Sequence, residues 1–538
     1  MRISHFTALL LACVLLFLPT VGLAVPSSLS VAVVADDHLA LRPLELNQRD
    51  VVSLLGLVYE GLFEMDDNAQ PQPKLAYAYS FSNDGRKLQV TLRQDVTFHN
   101  GEALTSADVI ATLDYMLELS GFDDNLDSET PVDERGLYYS TFYSIRSWEA
   151  TDDYTVVFTL RRASYGSLYA LTFPILPVSQ VASDMPSGTG PYKYDGYEQG
   201  SAIWLTANDA WWNRAPQVRY IRASIYDTAD QALNAFDTQS VDIAMARSIN
   251  ASRYSGSLNT FSLNARTRQL EVLLVNRAYK DFKSDDNGQN LLRQAIAYAI
   301  DYPTAATAIN GEYGKPANRG VLGPSFKGFD DSIAMLEYNA ETAKSMLDAA
   351  GYVDADGDGW RELPDGGKMD LSVIPQYSRS MEVRSRLGEI VCKSLQNVGV
   401  NCHIDEEAIA NSEIWEDKVT KEEYDISITF TTSGMLYSTP FRYMLAELRD
   451  GDSGWHWGSC HDPRLKEYYY AMTEAINDEQ YIENSRNLQH LADEEMFGLT
   501  FAWQTGFFPY RTDKIEGWDN WQSWGVINAR TWFDLTAK

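Results

Sequence analysis

The sequence predicts an α/β protein with two lobes, and three observations support that class. At 538 residues and 45% apolar content, the chain can bury more than one core. The segment 270–275 includes a nearly continuous apolar run of the kind buried in a parallel or mixed sheet. A strand at 371–375, a helix at 382–398 and a strand at 402–404 form a strand, helix, strand unit. Units of this order build sheets covered by helices.

Turn chemistry and apolar spacing define the elements nearer the start of the chain. An apolar helix is predicted at 51–58, closed by Gly61 in the left-handed conformation. The Asn-Asp-Gly turn at 83–85 precedes alternating apolar and polar residues at 88–92, which indicates a hairpin. Thr105 is expected to cap the helix that follows.

Residues 1–24 have the pattern of a secretory signal peptide. Arg2 precedes an apolar run at 6–18, and small residues lead to Ala24, after which cleavage is expected. The run is too short to span a membrane. Cys13 imitates a lipoprotein processing box, but it lies inside the apolar run. The sequence therefore favours free export, to the periplasm or the cell surface, over a lipid anchor.

The formal charge of −31 argues against a nucleic-acid partner, because the phosphates would be repelled. A solvated acidic surface is the simpler meaning of this charge. No second apolar run is long enough for a membrane span, so we expect the mature chain to be soluble.

Three cysteines follow the signal segment, which is an odd number in a compartment that permits disulfides. Cys392 on a helix and Cys402 on the following strand are candidates for one bridge, and Cys460 is the third thiol. Spacing alone does not fix the connectivity. Zinc is disfavoured, because no CxxC pair accompanies the scattered histidines.

Patterns of catalytic residues are missing from the sequence. It contains no nucleophile elbow, no HExxH and no convincing Ser/His/Asp set. The Gly-Thr-Gly-Pro-Tyr turn at 188–192 lacks the lysine of a phosphate loop, and Pro191 has no N–H to donate. We therefore expect a binding protein rather than an enzyme.

One acidic loop imitates the first half of a calcium site. Asp354, Asp356 and Asp358 alternate along it, and Asp365 stands where such loops carry a bidentate glutamate. No flanking helix pair is evident. The sequence favours a plain turn over a structural calcium site, and it predicts no other cofactor.

An ordered set of short motifs runs through the chain: Tyr59-Glu60-Gly61-Leu62, Lys74-Leu75-Ala76, 82–85, Leu92-Arg93, Val96, Phe98-His99-Asn100-Gly101, Leu104-Thr105, Asp108-Val109, 188–192, Asn208 with Trp211 and Trp212, 236–244 and 292–301. This set resembles the family 5 solute-binding proteins of ABC importers, which include oligopeptide, dipeptide and nickel receptors. For the Trp pair, packing in a core is favoured over ligand stacking.

The resemblance implies a periplasmic-binding-protein-like fold of type II, in the large cluster with an extra subdomain, with a hinge between the lobes. The implied organisation is a signal peptide (1–24), the first segment of lobe I (25–47), an inserted subdomain of lobe I (48–183), the second segment of lobe I (184–268), lobe II (269–500) and the C-terminal segment of lobe I (501–538). It also implies a monomer that captures a solute between closing lobes and delivers it to ABC permease and ATPase subunits.

The resemblance places ligand contacts after the strand at 424–431. Peptide-binding relatives commonly follow this strand with an aspartate for the peptide α-ammonium group, whereas this chain continues with Thr, Thr, Ser and Gly. Arg379 lies where some relatives place a cation for the peptide carboxylate. The alternative interpretation is that Arg379 is a solvated residue at the start of a helix. The predicted ligand-binding residues are Tyr377, Arg379, Thr431, Thr432, Ser433, Gly434 and Tyr437.

The overall resemblance favours an oligopeptide as the ligand. The missing aspartate would cost a peptide a charge-assisted hydrogen bond of about 1.5–3 kcal/mol. Tryptophans near the C-terminus would also suit sugar rings, although a core position is favoured for most of them: Trp455, Trp457, Trp503, Trp518, Trp521, Trp524 and Trp532. A cello- or chito-oligosaccharide is therefore the second candidate ligand, and a nickel chelate is the third.

Overall fold

The computed structural model describes residues 27–36, 40–66, 70–122, 136–246, 248–277, 282, 290–323, 327–376, 383–432, 441, 462–496, 498–516 and 536–537. The strands are β1 (Ser28–Val34), β2 (Phe63–Met65), β3 (Pro71–Pro73), β4 (Ala76–Phe81), β5 (Lys87–Leu92), β6 (Ile145–Asp152), β7 (Thr155–Leu160), β8 (Tyr192–Glu198), β9 (Ala202–Ala207), β10 (Tyr220–Tyr226), β11 (Ile243–Ala244), β12 (Thr260–Val275), β13 (Asp370–Pro375), β14 (Asn401–Ile404), β15 (Ile426–Thr432), β16 (Gly498–Arg511), β17 (Ile515–Glu516) and β18 (Thr536–Ala537). The helices are α1 (Arg49–Leu55), α2 (Ser106–Ser120), α3 (Ala229–Asp237), α4 (Leu291–Ala299), α5 (Tyr302–Asn310), α6 (Ala340–Ala349), α7 (Val383–Gln396), α8 (Glu406–Ala410), α9 (Ser412–Thr420), α10 (Pro463–Thr473) and α11 (Asp478–Glu495).

A ten-stranded mixed sheet runs through the molecule in the order β14-β13-β15-β12-β16-β11-β1-β10-β9-β8. On one side β1 pairs in parallel with β10 and β11, and we call this group lobe I. On the other side β13 pairs in parallel with β14 and β15, and we call this group lobe II. The long antiparallel strands β12 and β16 belong to both lobes. The predicted α/β class and the strand, helix, strand unit of β13, α7 and β14 are confirmed.

A separate four-stranded antiparallel sheet, β4-β5-β7-β6, comes from the segment inserted between β1 and β8. Its inward-facing residues, such as Val90 and Phe158, share one core with Val31 and Ile221 of lobe I. The strands of lobe II are covered by a core on each face, and one of these cores also includes Met65 and Tyr169 of the inserted segment. The inserted sheet therefore packs together with lobe I.

Local sequence chemistry explains several element boundaries. Gly85 has a φ of 67° in the turn between β4 and β5, so the predicted hairpin is confirmed. The carboxylate of Asp108 accepts a hydrogen bond from the backbone N–H of Thr105 at 2.8 Å, and helix α2 starts at the next residue, as predicted.

The prediction for Gly61 is wrong. Helix α1 already ends at Leu55, and Gly61 does not have a positive φ. A Cβ atom at this position would lie 2.7 Å from the carbonyl oxygen of Thr172 and 2.8 Å from that of Phe173. Glycine is therefore required here by the close approach of a second backbone segment, and not by a left-handed cap.

Most helices are short, and several are capped by the side chain of the residue that directly precedes the helix. Asn339 accepts a hydrogen bond from the backbone N–H of Thr342 at the start of α6. Within the described ranges, no helix combines the length and the apolar character that a bilayer crossing requires.

Candidate functional site

The parallel strands of the two lobes point toward each other. β11 lies antiparallel to β16, and β15 lies antiparallel to β12, so β1, β10 and β11 run in the direction of β12 while β13 and β15 run in the direction of β16. Their carboxyl ends therefore face each other where β12 and β16 pass between the lobes. We call these ends, at Val34, Tyr226, Ala244, Pro375 and Thr432, the interlobe edge. Ligands of open α/β sheets bind at such ends.

On the lobe II side, the end of β13 is fastened to β15. The backbone N–H of Gln376 donates to the carbonyl of Ile428 at 2.8 Å, and the hydroxyl of Thr429 donates to the Gln376 side-chain oxygen at 2.7 Å. The predicted ligand residues Tyr377 and Arg379 follow Gln376 closely in sequence and lie outside the described residues.

Thr431 and Thr432 lie at the interlobe edge, where the sequence predicts ligand contacts. Thr431 is 3% exposed, and its hydroxyl has no hydrogen-bond partner in the described part of the chain. A buried hydroxyl without a partner costs free energy, so this atom is suited to a ligand contact. Three further predicted residues lie outside the described ranges: Ser433, Gly434 and Tyr437.

On the lobe I side, a cavity of about 200 Å³ opens between the ends of β1 and β11 and the starts of α1 and α3. It is lined by Val34, Gln48, Arg49, Asp50, Ala229, Met245 and Ala246. The Asp50 carboxylate is buried and accepts a hydrogen bond from the backbone N–H of Val34 at 3.3 Å. The volume is smaller than a whole ligand site, so this cavity suits one side chain of a larger ligand.

The ladder between β12 and β16 is irregular at the point where the strands leave lobe I. Arg266 is opposite Thr505, but Leu270 is opposite Trp503, so three residues of β12 face one residue of β16. Such a bulge bends the strand and breaks the regular pairing. The irregularity lies where both strands pass between the lobes, and we use the word hinge as a name for this stretch, 266–270 of β12 and 503–505 of β16.

A buried polar network surrounds this hinge, and its centre is Glu271, whose side chain is 0% exposed. One carboxylate oxygen accepts from Arg384 at 3.0 Å. The other accepts from the amides of Gln269 and Gln504, both at 2.8 Å. The Arg384 guanidinium lies 4.3 Å above the ring of Phe430. The network thus joins the bulge of β12, the facing residue of β16 and the first turn of α7.

Asn310, at the end of α5, holds the other edge of β16 at the same level. Its amide donates to the carbonyl of Trp503 at 2.8 Å, and its oxygen accepts from the N–H of Thr505 at 2.9 Å. The side chain replaces a neighbouring strand on both sides of Gln504. Sequence reasoning missed this residue and Arg384, but Glu271 carried a signal, because a carboxylate within an apolar strand requires a buried partner.

The family-like motifs meet at the junction between lobe I and the inserted segment. The Glu60 carboxylate is buried and accepts from the Thr189 hydroxyl at 2.9 Å and from the Trp212 indole at 3.0 Å. Lys74 lies 3.5 Å from Glu60 and 2.9 Å from Glu64. Burial acts to lower the pKa of Lys74, but the two carboxylates outweigh it and raise that pKa. This cluster positions chain segments and does not face the interlobe edge.

The tryptophans support the favoured core interpretation where the structure describes them. Trp211 is 5% exposed, and the rings of Trp211 and Trp212 lie 5.4 and 5.5 Å from the Lys74 ammonium. Trp503 is buried in a lobe II core with Leu270. The remaining members of the C-terminal set lie outside the described residues: Trp455, Trp457, Trp518, Trp521, Trp524 and Trp532.

His99 joins two of the motif turns. Its backbone N–H donates to the carbonyl of Gly188 at 2.8 Å, and its Nε2 lies 2.9 Å from the carbonyl oxygen of Gly190. Contact with a carbonyl requires the proton on Nε2. Burial of the ring lowers the pKa of His99 to about 4, so the imidazole is neutral in the folded protein near pH 7.

The acidic loop gathers four carboxylates that could hold a cation, namely Asp354, Asp356, Asp358 and Glu362, with one oxygen of each within 4.8 Å of the others. Glu362 belongs to this group in the structure, and Asp365 does not. Asp354 already accepts hydrogen bonds from the backbone N–H groups of Gly357 (2.8 Å) and Gly359 (3.1 Å). These bonds close the loop on its own backbone.

Residues 70–453 match the family model described as bacterial extracellular solute-binding proteins, family 5 Middle. The chain belongs to this family. It is 25% identical over 369 residues to the oligopeptide-binding protein AppA of Bacillus subtilis, which covers 64% of this chain and 62% of that protein. It is 23% identical over 368 residues to heme-binding protein A of Haemophilus influenzae, with 64% and 63% covered. The chain thus matches less than two thirds of the length of these relatives.

Solved structures confirm the fold. HbpA2 from Haemophilus parasuis superposes with a TM-score of 0.79 at 17% identity, over 95% of this chain and 100% of that chain. The oligopeptide-binding protein AppA from Bacillus subtilis, in complex with a nonapeptide, superposes with a TM-score of 0.64 at 18% identity, over 95% and 99%. The two-lobed α/β fold of periplasmic binding proteins is therefore shown.

Proposed function

We propose that this chain is the substrate-binding receptor of an ABC importer that encloses an oligopeptide at the interlobe edge. The observation that carries this proposal is the arrangement of the parallel strands, whose carboxyl ends face each other across two shared strands with a bulge. A ligand that contacts both edges favours the closed state by its differential contacts. Membership of the solute-binding family supports the same function.

Three features support a peptide as the ligand class. One relative is named as an oligopeptide-binding protein and another as a glutathione-binding protein. At the interlobe edge, Thr431 offers a hydroxyl without a partner in the described part of the chain. The cavity beside Asp50 has the size of a single side chain, as a ligand made of repeated residues would need.

The receptor binds its ligand without turnover and reaches its partners after export. Residues 1–24 direct the chain out of the cytoplasm, and the mature monomer starts near Val25 and delivers its solute to a membrane permease with its ATPase subunits. N-terminal sequencing of the exported protein should find Val25, whereas a lipidated Cys13 would contradict free export. Peptides and oligosaccharides incubated with the protein should be recovered intact. A sustained release of products, by an activity that copurifies with the protein, would contradict binding without turnover.

The ligand class is tested by calorimetric titration with a mixed peptide pool and with individual peptides. Arg379→Ala should weaken binding of a peptide with a free C-terminus roughly 10- to 100-fold and spare its C-terminal amide, because only the former loses a charge-assisted bond. Arg386→Ala is the matched control, since Arg386 is exposed on α7. Tight binding of cello- or chito-oligosaccharides, with no binding of the peptide pool, would contradict a peptide ligand and favour an oligosaccharide ligand.

A second pair of variants tests the interlobe edge itself. Thr431→Val keeps the shape and removes the hydroxyl that lacks a partner, so peptide affinity should fall about 5-fold for one lost hydrogen bond of ~1 kcal/mol. Thr429→Val removes a hydroxyl that is already bonded to Gln376, and it should lower stability more than affinity. An unchanged affinity of Thr431→Val would place the ligand elsewhere.

A further inference from the structure

Two thiols meet in the core of lobe II, away from the interlobe edge. Cys392 lies on α7 and Cys402 on β14, the outer strand of the ten-stranded sheet. Their side chains are buried, and the two sulfur atoms are 2.9 Å apart. A third described residue fixes this geometry, because the Gln396 amide donates to the carbonyl of Cys402 at 3.0 Å, one turn of α7 beyond Cys392.

The surroundings of the two sulfurs differ. The thiol of Cys402 donates its proton toward Cys392, and this hydrogen bond lowers the pKa of Cys392 and raises that of Cys402. The carboxylates of Asp370 and Asp425 also act on Cys402 and oppose its ionisation. Cys392 is thus the better nucleophile of the pair, since the thiolate is the reactive form.

We propose that Cys392 and Cys402 are a built-in oxidation site that closes to a disulfide. The oxidant is a disulfide compound such as oxidised glutathione. The Cys392 thiolate attacks one of its sulfurs and releases the first thiol, and Cys402 then attacks the Cys392 sulfur and releases the second. Two protein thiols lose two electrons and two protons, and the oxidant disulfide becomes two thiols.

The bond would join α7 to the edge of the lobe II sheet. The same helix carries Arg384 in its first turn, where that residue holds Glu271 at the hinge. A covalent tie at Cys392 therefore limits the movement of the helix that supports the hinge network. The inference concerns the packing of lobe II and does not depend on which solute the protein binds.

Peptide mapping of the full-length purified protein tests the bond. The protein is incubated with oxidised glutathione, unfolded at acidic pH, alkylated with N-ethylmaleimide with or without prior reduction, and digested with trypsin. Cleavage after Lys393 separates the two cysteines into peptides 387–393 and 394–418. These peptides should stay covalently joined before reduction, and both should be alkylated only after it. Alkylation of both before reduction, or a bond from either to Cys460, would overturn the proposal.

Two variants make the result specific. In Cys402→Ser the peptide 387–393 should carry one glutathione and be alkylated only after reduction, because no second thiol resolves the mixed disulfide. Cys460→Ser should leave the joined peptides unchanged. A reductant should also lower the melting temperature of the wild-type protein by a few degrees. It should not lower that of the Cys392→Ser/Cys402→Ser double variant. An equal reductant effect in both proteins would contradict a stabilising bond, and the mapping stands even if a variant fails to fold.

Discussion

The neutral imidazole of His99 should make the junction of lobe I sensitive to acid, and His99→Gln should remove this sensitivity. The pKa of His99 is about 4 in the folded protein and about 6.5 for a solvated imidazole. Above pH 6.5 both states hold the ring neutral. Between pH 6.5 and 4 only the unfolded chain takes up the proton, so the folded protein loses up to ~3.4 kcal/mol, or about 1.4 kcal/mol per pH unit. Below pH 4 both states are protonated and the loss is complete.

Urea unfolding followed by tryptophan fluorescence at pH 7, 6, 5 and 4 measures this loss as the difference between wild type and His99→Gln. Glutamine keeps an amide N–H for the carbonyl of Gly190, so the bond at 2.9 Å has a replacement donor. The advantage of the wild type should shrink steadily as the pH falls from 6.5. His403→Gln is the control, because the His403 side chain is 57% exposed. A wild type and a His99→Gln variant that respond to pH in parallel would refute the reasoning.

Three further predictions concern the other polar clusters. Lys74→Met should destabilise the protein by ~3–5 kcal/mol in urea unfolding, because it leaves the Glu60 carboxylate buried without its cation. Adding Glu60→Gln should recover most of this lost stability. If stability is not recovered, the effect of Lys74→Met comes from packing and not from charge. Calcium at 1 mM should raise the melting temperature by less than about 1 °C, because the loop of Asp354 bonds to its own backbone. A rise of several degrees that Asp356→Asn abolishes would instead establish a calcium site. Asn310→Ala should lower stability by ~2 kcal/mol and speed amide hydrogen exchange in 503–505, and protection there that stays at the wild-type level would contradict its role at the hinge.

Features that depend on neighbouring residues could be predicted from the sequence. The turn at Gly85 and the cap at Thr105 follow from local hydrogen bonding and from the φ that glycine permits. Gly61 shows the limit of local reasoning. Its glycine was recognised as special, but the reason is a backbone more than 100 residues away, at Thr172. No local pattern encodes such an approach.

The candidate site was only partly predictable. The predicted strand at 424–431 ends one residue before β15 does, and Thr431 lies at the interlobe edge with a hydroxyl that has no partner among the described residues. The hinge network could not be assembled from the sequence, because Glu271, Arg384 and Gln504 are brought together only when α7 and β16 pack against β12. Pairing across such distances is a property of the tertiary fold, and periodicity carries no information about it.

Asp242 connects three distant segments of the chain, and these contacts affect when lobe I can fold during synthesis. Its carboxylate accepts from the Ser30 hydroxyl at 2.7 Å and from the Lys514 ammonium at 2.6 Å, so it joins the start, the middle and the end of the chain. Until the ribosome has delivered the last of these segments, β11 lacks its neighbour β16 and lobe I cannot close its core. A chain that leaves the cytoplasm through a narrow channel must still be threadable at that moment. Because Lys514 is synthesised late, the core of lobe I stays incomplete until most of the chain has been made. This delay suits the proposed export, since a chain that has not yet folded can pass through the channel.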